Sequence, residues 1–322
     1  MNETVLREHY QKRGFSGEQT AEAVAAVQSL ERWLAENDSA LETATQDLVR
    51  RYIRLLIDEK RNTMEALLAM ARYFYLTGRN GIYIYFTSLL GGSGVIESIA
   101  SRLSDATDAD TARRILGETD RPPLGSDPKD FPAFTKRLME RLEAQLPPET
   151  VQSVLAGNNH GIPASAFDSE KEHFENAASL DEYLRGRHKR QVAELQRYCD
   201  SKTVWYEQTI TQEVVDFVAA NQEILSAVND GGTLYITKIP YDPEKYLSET
   251  DPVMKRYYAC HCPFAREAIK AGSPEISPNW CYCSGGFAKY PFEVLFGRPL
   301  RVELLQSVLN GDPVCRFAIH LD

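Results

Sequence analysis

Closely spaced cysteines are the residues of this chain best suited to chemistry. Two Cys-x-Cys pairs, at 260–262 and 281–283, are separated by 18 residues, and Cys315 follows them. Thiolate, imidazole and carboxylate groups in a tetrahedral arrangement suit Zn²⁺. A Cys-x-Cys pair is less diagnostic than the Cys-x-x-Cys knuckle, so an iron–sulfur cluster and buried reduced thiols stay open as alternatives. The pattern predicts zinc as the cofactor, with these candidate ligands: Cys260, Cys262, Cys281, Cys283 and Cys315.

A reactive thiol is a separate hypothesis. Cys262 precedes a predicted helix, whose N-terminus would lower the pKa of the thiol. His261 is its neighbour in sequence, but adjacent residues of an extended strand face opposite sides, so His261 is poorly placed as a base for Cys262. The sequence contains neither a Ser–His–Asp order nor a His-x-x-x-His helix. We therefore assign no catalytic residue from the sequence.

Composition limits the partners. The formal net charge of −10 argues against a general affinity for nucleic acid or anionic membranes. Residues 1–8 contain no apolar core of signal-peptide length, and no run reaches the roughly 18 apolar residues of a membrane span. We expect a cytoplasmic protein whose clustered thiols stay reduced. A homodimer is compatible with the sequence, and a small apolar or heterocyclic molecule is the partner implied by the family resemblances of the C-terminal hairpin.

Hydrophobic periodicity predicts an α+β protein in two domains. Residues 1–120 read as an all-helical domain, with Thr45 as a helix cap and Asn62 with Glu65 as a capping box. Residues 129–322 read as an α+β module that ends in an antiparallel hairpin. The polar, Pro-rich segment 119–128 is the predicted boundary.

The helical pattern around Trp33-Leu34, 44–53 and 67–74 resembles the helical core-binding domain of tyrosine recombinases. The catalytic domain of a recombinase has no counterpart, because the Arg…His-x-x-Arg…Tyr arrangement is absent. A basic stretch could touch phosphates, but a solvated helix face is the simpler interpretation. Its residues are Arg50, Arg51, Arg54, Lys60 and Arg61.

The middle of the chain, 129–230, is predicted to be mostly helical, with helices at 131–146, 180–198 and 209–228. Residues 158–163 form a loop between two of the predicted elements. His160 in this loop could be a ligand or a general base, but a lone loop histidine is more often polar surface.

The C-terminal module is predicted to contain strands at 233–239 and 257–262, and 281–283 is taken as a second pair of the same kind as 260–262. A hairpin joins 300–309 to 314–321 through a turn at 310–313. Strand alternation places one set of side chains on a common face of each arm. If Ser307 pairs with Cys315, both sets lie on the same side of the hairpin. The members of these faces are Glu303, Leu305 and Ser307 on the first arm and Cys315, Phe317 and Ile319 on the second.

The hairpin motif Gly-Asp-x-x-Cys-x-Phe, present here as Gly311, Asp312, Cys315 and Phe317, resembles two families. These are the four-vinyl reductase domain of bacterial sensors and the 2-amino-thiazoline-4-carboxylic acid hydrolases. The first resemblance implies a zinc ion held by an upstream cysteine, an acidic hairpin residue and two hairpin cysteines eight residues apart. Here the position eight before Cys315 is Ser307, which departs from that pattern.

We therefore predict a sensory or ligand-binding protein for a small molecule. The alternative is a metal- or Cys-dependent hydrolase of a small heterocycle, amino-thiazoline-carboxylate hydrolase-like. A sensor pocket should be mostly apolar, whereas polar groups should converge on a hydrolase site. The candidate ligand-binding residues are Tyr257, Tyr258, Trp280 and Phe287.

Overall fold

A computed structural model describes residues 1–117 and 121–322, and it confirms the α+β class. The chain divides into two compact units, one of Met1–Gly91 with Arg121–Asp130 and one of Gly92–Asp120 with Phe131–Asp322. The predicted boundary segment starts at Thr119 and Asp120, which lie outside the described residues.

The first unit is a helical bundle. Its helices are α1 (Glu3–Lys12), α2 (Gly17–Glu36), α3 (Gln46–Asp58), α4 (Met64–Leu76) and α5 (Asn80–Leu90). Thr45 caps α3 as predicted, accepting a hydrogen bond from the Leu48 N–H at 3.3 Å. The predicted capping box at Asn62 is wrong, because Thr63 caps α4 and the Asn62 amide donates to the Leu124 carbonyl at 2.8 Å. Either residue can cap a helix, and Asn62 is the one drawn to the backbone of the returning segment.

Arginines of the predicted basic stretch have partners within the first unit. Arg50 pairs with Asp127 at 3.1 Å, and Arg61 pairs with Glu59 at 2.6 Å. The Arg51 guanidinium lies 5.7 Å from the Trp33 ring centroid. These contacts favour the solvated-face interpretation of the stretch.

The second unit surrounds a four-stranded antiparallel sheet with strand order β3-β4-β6-β5. Its helices are α6 (Val95–Ala106), α7 (Ala109–Leu116), α8 (Pro132–Gln145), α9 (Pro148–Leu155), α10 (Asp168–Glu175), α11 (Leu180–Ser201), α12 (Gln212–Ala219), α13 (Pro243–Ser248), α14 (Pro252–Ala259), α15 (Arg266–Ala271) and α16 (Tyr282–Phe296). Its strands are β1 (Val204–Trp205), β2 (Gln208–Thr209), β3 (Val228–Asp230), β4 (Thr233–Thr237), β5 (Arg301–Gln306) and β6 (Arg316–His320). Short 3₁₀ helices occupy Ala164–Phe167, Pro278–Cys281 and Val308–Asn310, and another, Pro128–Asp130, lies in the first unit.

The predicted Cys-x-Cys strands are wrong. Residues 257–259 end α14, and 281–283 lie where a 3₁₀ turn passes into α16. Each helical segment begins with a capping residue and a proline. Asp251 accepts two backbone N–H groups at 2.8 Å before Pro252, and Ser277 caps the turn at Pro278. These start signals outweigh the β propensity of Tyr257 and its neighbours.

The C-terminal hairpin is confirmed, but one predicted face is wrong. A register shift between Leu304 and Gln306 inserts Leu305 into β5 as a bulge. The extra residue reverses the alternation, so that Glu303 and Leu305 are exposed whereas Ser307 is buried. On the other arm Cys315, Phe317 and Ile319 are all buried. The helix predicted at 209–228 is also shorter, because α12 ends at Ala219 and β3 begins at Val228.

The stretch Asn80–Ala106 is apolar and long enough to cross a membrane by length and composition alone, the one such stretch among the described residues. Its best window has a mean hydropathy of 1.2, and half of that window is buried. The stretch contains α5 and α6, which are separated at 91–94 by a turn in which Gly94 adopts a φ of +77°. Phe86 and Ile99 are fully buried, as in core helices of a folded protein.

Candidate functional site

All six cysteines lie in the second unit and are free, and all except Cys199 gather in two settings. We call the first setting the thiol pair, meaning Cys281 and Cys315 with Ser307. The Ser307 hydroxyl donates to the Cys281 sulfur at 3.0 Å. Hydrogen bonding to Cys315, together with burial, raises the pKa of Cys281 well above its usual value, and the same bond lowers the pKa of Cys315. Cys281 therefore stays a protonated thiol beside Cys315.

Cys260 lies beside the thiol pair at the end of α14. Burial, and then the charges that Cys262 and Cys315 would carry as thiolates, raise the pKa of Cys260. A neutral, buried thiol of this kind behaves as a small hydrophobic side chain.

The predicted zinc ligands are close in space but do not form a metal site. Within the described ranges, no group of three or more His, Cys, Asp or Glu side chains is placed to hold a metal ion. At the position where the predicted resemblance to sensor domains would require a second hairpin cysteine, Ser307 offers a hydroxyl that donates to Cys281. Zinc stays a prediction, which elemental analysis of the purified protein tests.

The second setting, which we call the His160 cluster, consists of His160, Lys238, Cys283, Ser284 and Phe287. The Cys283 sulfur lies 3.9 Å from Nε2 of His160, and the two rings of His160 and Phe287 meet edge to face at 5.4 Å. Cys283 is 8% exposed and Phe287 is 41% exposed. The cluster therefore has a buried thiol beneath an accessible rim.

Lys238 follows β4 and brings a positive charge to this cluster. Its ammonium group donates to the Ser284 hydroxyl at 2.9 Å and lies 4.9 Å from the Phe287 ring centroid. Lys238 is partly buried, and among the described residues it forms no ion pair with a carboxylate. A cation held by a hydroxyl and a ring, without a counter-ion, is suited to an anion from solution.

The imidazoles near Lys238 are held neutral. Enclosure by protein and the charge of Lys238 lower the pKa of His160 to about 4, although part of the residue still meets solvent. The same two causes lower the pKa of His261 well below its usual value. The His261 Nε2–H donates to the Ile239 carbonyl at 2.7 Å. A neutral His160 can accept a proton from Cys283 through Nε2.

Cys262 lies near the cluster in a different environment. The Trp280 indole N–H donates to its sulfur at 3.1 Å, and the backbone N–H groups of Phe264 and Ala265 also point at it. Burial outweighs these donors and raises the pKa of Cys262. Trp280, a predicted ligand-binding residue, is 1% exposed and so forms the floor beneath Cys262.

The other predicted ligand-binding aromatics occupy different places. Phe287 contacts the His160 cluster directly. Tyr257 lies under the Arg266 guanidinium, which also covers the Tyr241 ring at 4.4 Å, and Tyr241 meets His261 at 5.4 Å. Tyr258 contacts Tyr257 at 5.5 Å, so it lies one step further along this aromatic row.

Two glycines let α16 approach both settings. A Cβ at Gly286 would lie 2.6 Å from the Ala156 carbonyl carbon, so the helix packs directly on the backbone that leads to His160. A Cβ at Gly285 would meet the Phe317 ring at 3.2 Å, next to the strand that follows Cys315. The glycine pair therefore fixes where Cys281 and Cys283 lie.

The loop that carries His160 is held by two asparagines. Asn158 exchanges hydrogen bonds with Ile162, at 2.8 and 3.0 Å, and closes the loop around His160. The buried Asn159 amide donates to the Leu155 carbonyl at 2.6 Å and accepts from Ser98 at 3.1 Å. His160 is exposed, as the polar-surface interpretation predicts, but its imidazole also contacts the Cys283 sulfur. The asparagine pair, whose side chains readily bond to backbone, is the signal in the sequence that the loop is ordered.

Comparison with known proteins leaves the function open. A family model described as a family of unknown function, DUF6144, matches residues 244–322, well under half of the chain. No curated protein and no solved structure matches the chain significantly. The family match includes Cys283 and the hairpin but not His160 or Lys238. The resemblances to four-vinyl reductase, hydrolase and recombinase domains stay predictions.

Proposed function

We propose that the second unit binds a small molecule that is partly apolar and carries an anionic group. The observation that carries this proposal is Lys238, whose ammonium group has a hydroxyl and a ring as partners but no carboxylate among the described residues. An incoming carboxylate would form a charge-assisted hydrogen bond with Lys238, and the exposed Phe287 face would receive the apolar part. Cytoplasmic location remains part of the proposal, and the free state of all six cysteines agrees with it.

Phenylacetate and its neutral analogue 2-phenylethanol test the anion. We expect phenylacetate to raise the melting temperature of the wild-type protein at millimolar concentration and 2-phenylethanol to have little effect, because only the carboxylate pairs with Lys238. Lys238→Met should weaken binding of phenylacetate by about tenfold or more, as measured by calorimetric titration, since a hydrogen bond to a charged group contributes about 1.5–3 kcal/mol.

Lys270→Met is the matched control. Lys270 also holds its ammonium group over a tyrosine ring, that of Tyr257 at 5.3 Å, but it is exposed and lies outside the His160 cluster. Equal loss of binding in both variants, or equal stabilisation by the acid and the alcohol, would contradict the proposal.

A second candidate function is favoured by one further observation. A sensor pocket should be mostly apolar, whereas an imidazole, an ammonium group, a thiol and a hydroxyl converge in the His160 cluster. This convergence supports the hydrolase alternative for a carboxylate-bearing small molecule. The thiol–imidazole contact is the part of the site that could supply the chemistry.

A further inference from the structure

The Cys283–His160 contact is the strongest chemical feature of the second unit. The two residues are 123 positions apart in the chain, yet the sulfur lies 3.9 Å from Nε2. Cys283 occupies the first turn of α16, a helix of 15 residues, where the backbone N–H groups favour a negative charge. Burial raises the pKa of Cys283 to about 12, so the thiol is protonated at rest and needs a base before it can react. The neighbouring His160 imidazole is the group placed to act as that base, and a thiol with a proton acceptor beside it is the arrangement from which a nucleophile is activated.

Cys262 offers a useful contrast because it has the donors without the acceptor. Its sulfur receives the Trp280 indole N–H and backbone N–H groups, but no imidazole in the described part of the chain accepts its proton. The ring nitrogen of its neighbour His261 is already bonded to the Ile239 carbonyl. Activation by a base therefore distinguishes Cys283 from Cys262.

We infer that Cys283 is a nucleophile, that His160 is its base, and that the electrophile is a small carboxylate-bearing molecule with a carbonyl or imine carbon. The carboxylate part of this inference rests on the proposed function, because Lys238 would hold that group. His160 is accessible at the rim and Cys283 lies directly beneath it, so a molecule held by Lys238 and Phe287 would reach the sulfur.

The chemical step balances with water as the only co-reactant. His160 takes the thiol proton, the sulfur bonds to the electrophilic carbon, and the π electron pair moves to the oxygen or nitrogen of that double bond. When this pair returns, the bond to the leaving group breaks and His160 gives the proton to that group. Water then attacks the thioester-type carbon, loses a proton to His160, and the carbon–sulfur bond breaks to restore the thiol.

Alkylation by iodoacetamide and iodoacetate tests the Cys283 nucleophile and the preference for a carboxylate separately. In each reaction the Cys283 sulfur displaces iodide and His160 takes the proton. We expect His160→Gln to slow labelling of Cys283 by at least about tenfold with both reagents, measured by peptide mass spectrometry, because general-base assistance is lost. Cys199, partly exposed on α11, is the internal reference within each sample.

Lys238→Met separates the anion from the nucleophile. Relative to Cys199, wild-type Cys283 should favour iodoacetate over iodoacetamide, and this preference should vanish in Lys238→Met while the iodoacetamide rate persists. An unchanged preference would overturn the carboxylate assignment alone. Unchanged Cys283 labelling in His160→Gln, or faster labelling of Cys262 than of Cys283, would overturn the nucleophile.

Controls keep these results independent of folding. The exposed His173 on α10 is replaced by Gln as the matched histidine variant, and its Cys283 rate should equal that of the wild type. Circular dichroism and melting temperature establish that each variant is folded before labelling. Cys283→Ser identifies the labelled peptide by its disappearance.

Discussion

Cys281 and Cys283 are two residues apart, yet their thiols enter different surroundings. In the thiol pair, the Cys281 sulfur accepts a hydrogen bond from the buried Ser307 hydroxyl and lies beside the buried Cys315 thiol. In the His160 cluster, Cys283 meets an imidazole and lies beneath a rim that solvent reaches. Residues two apart at the start of a helix are rotated by more than half a turn, so one element directs the two thiols to opposite sides.

The difference teaches which cysteines suit chemistry. A buried thiol that accepts a hydrogen bond from Ser307 packs in the core like a small hydrophobic side chain. A thiol beside a neutral imidazole has a proton acceptor and, at the rim, a route for a small molecule. Spacing alone treats the five cysteines as equivalent ligands, whereas their neighbours differ, with a serine hydroxyl and a thiol beside Cys281 and an imidazole beside Cys283.

Substitution of the two glycines of α16 disturbs the two settings one at a time. We expect the first of these substitutions to have the largest effect on the free energy of unfolding. Gly286→Ala forces a methyl group into the Ala156 backbone, which cannot move as a side chain would, and should lower the free energy of unfolding by roughly 2–3 kcal/mol. Urea unfolding measures the loss, and Cys283 labelling should change because the backbone leading to His160 is displaced.

Gly285 and Gly81 provide the comparison for Gly286. Gly285→Ala meets the Phe317 ring at 3.2 Å and should cost about 1 kcal/mol, with the disturbance on the side of the thiol pair. Gly81→Ala, in α5 with nothing within 4 Å, should be neutral or stabilise by up to about 1 kcal/mol. If all three variants unfold alike, close packing of α16 does not position the thiols.

The serines of the two settings provide the next, smaller comparison. Ser307→Ala removes the donor to the Cys281 sulfur and the acceptor for the Leu309 N–H at 3.1 Å in a buried place, and should cost about 1–2 kcal/mol. Ser284→Ala removes a hydroxyl that solvent can replace at Lys238, and should stay within about 0.5 kcal/mol. Equal costs, measured by urea unfolding, would mean that the two settings do not differ in burial as described.

The sequence predicts the fold class because periodicity and turn residues act locally. The hairpin and the helix cap at Thr45 follow from such local signals. The strand predicted at 257–262 is wrong. The helix start signal Asp251-Pro252 outweighs the β propensity of the aromatic residues that follow it. The Leu305 bulge has no comparable sequence marker, since a one-residue insertion depends on the twist and packing of the finished sheet.

The candidate site was predictable in part. The clustering of cysteines points to the region in which Cys283 meets His160, and Phe287, a predicted ligand-binding residue, contacts His160. The meeting of His160 with Cys283 required tertiary packing between residues far apart in the chain. Lys238 gave no sign of its role, because a single lysine after a strand is ordinary until its partners are known.

The pH dependence of stability compares the imidazoles of His160 and His261, and it is the smallest effect that we expect. The folded pKa values of His160, about 4, and of His261 lie below the unfolded value of 6.5, so both contribute stability above about pH 6.5 that is lost as the pH falls through their folded values. We expect the urea midpoint to fall between pH 7.5 and pH 5 by less in His261→Gln than in the wild type. His160→Gln should show a smaller difference of the same sign, because part of His160 remains in contact with solvent, and the exposed His173→Gln should match the wild type. If His160→Gln and His261→Gln both kept the pH dependence of the wild type, neither imidazole would be held neutral by its surroundings. His160 would then no longer be the proton acceptor that distinguishes Cys283 from Cys281.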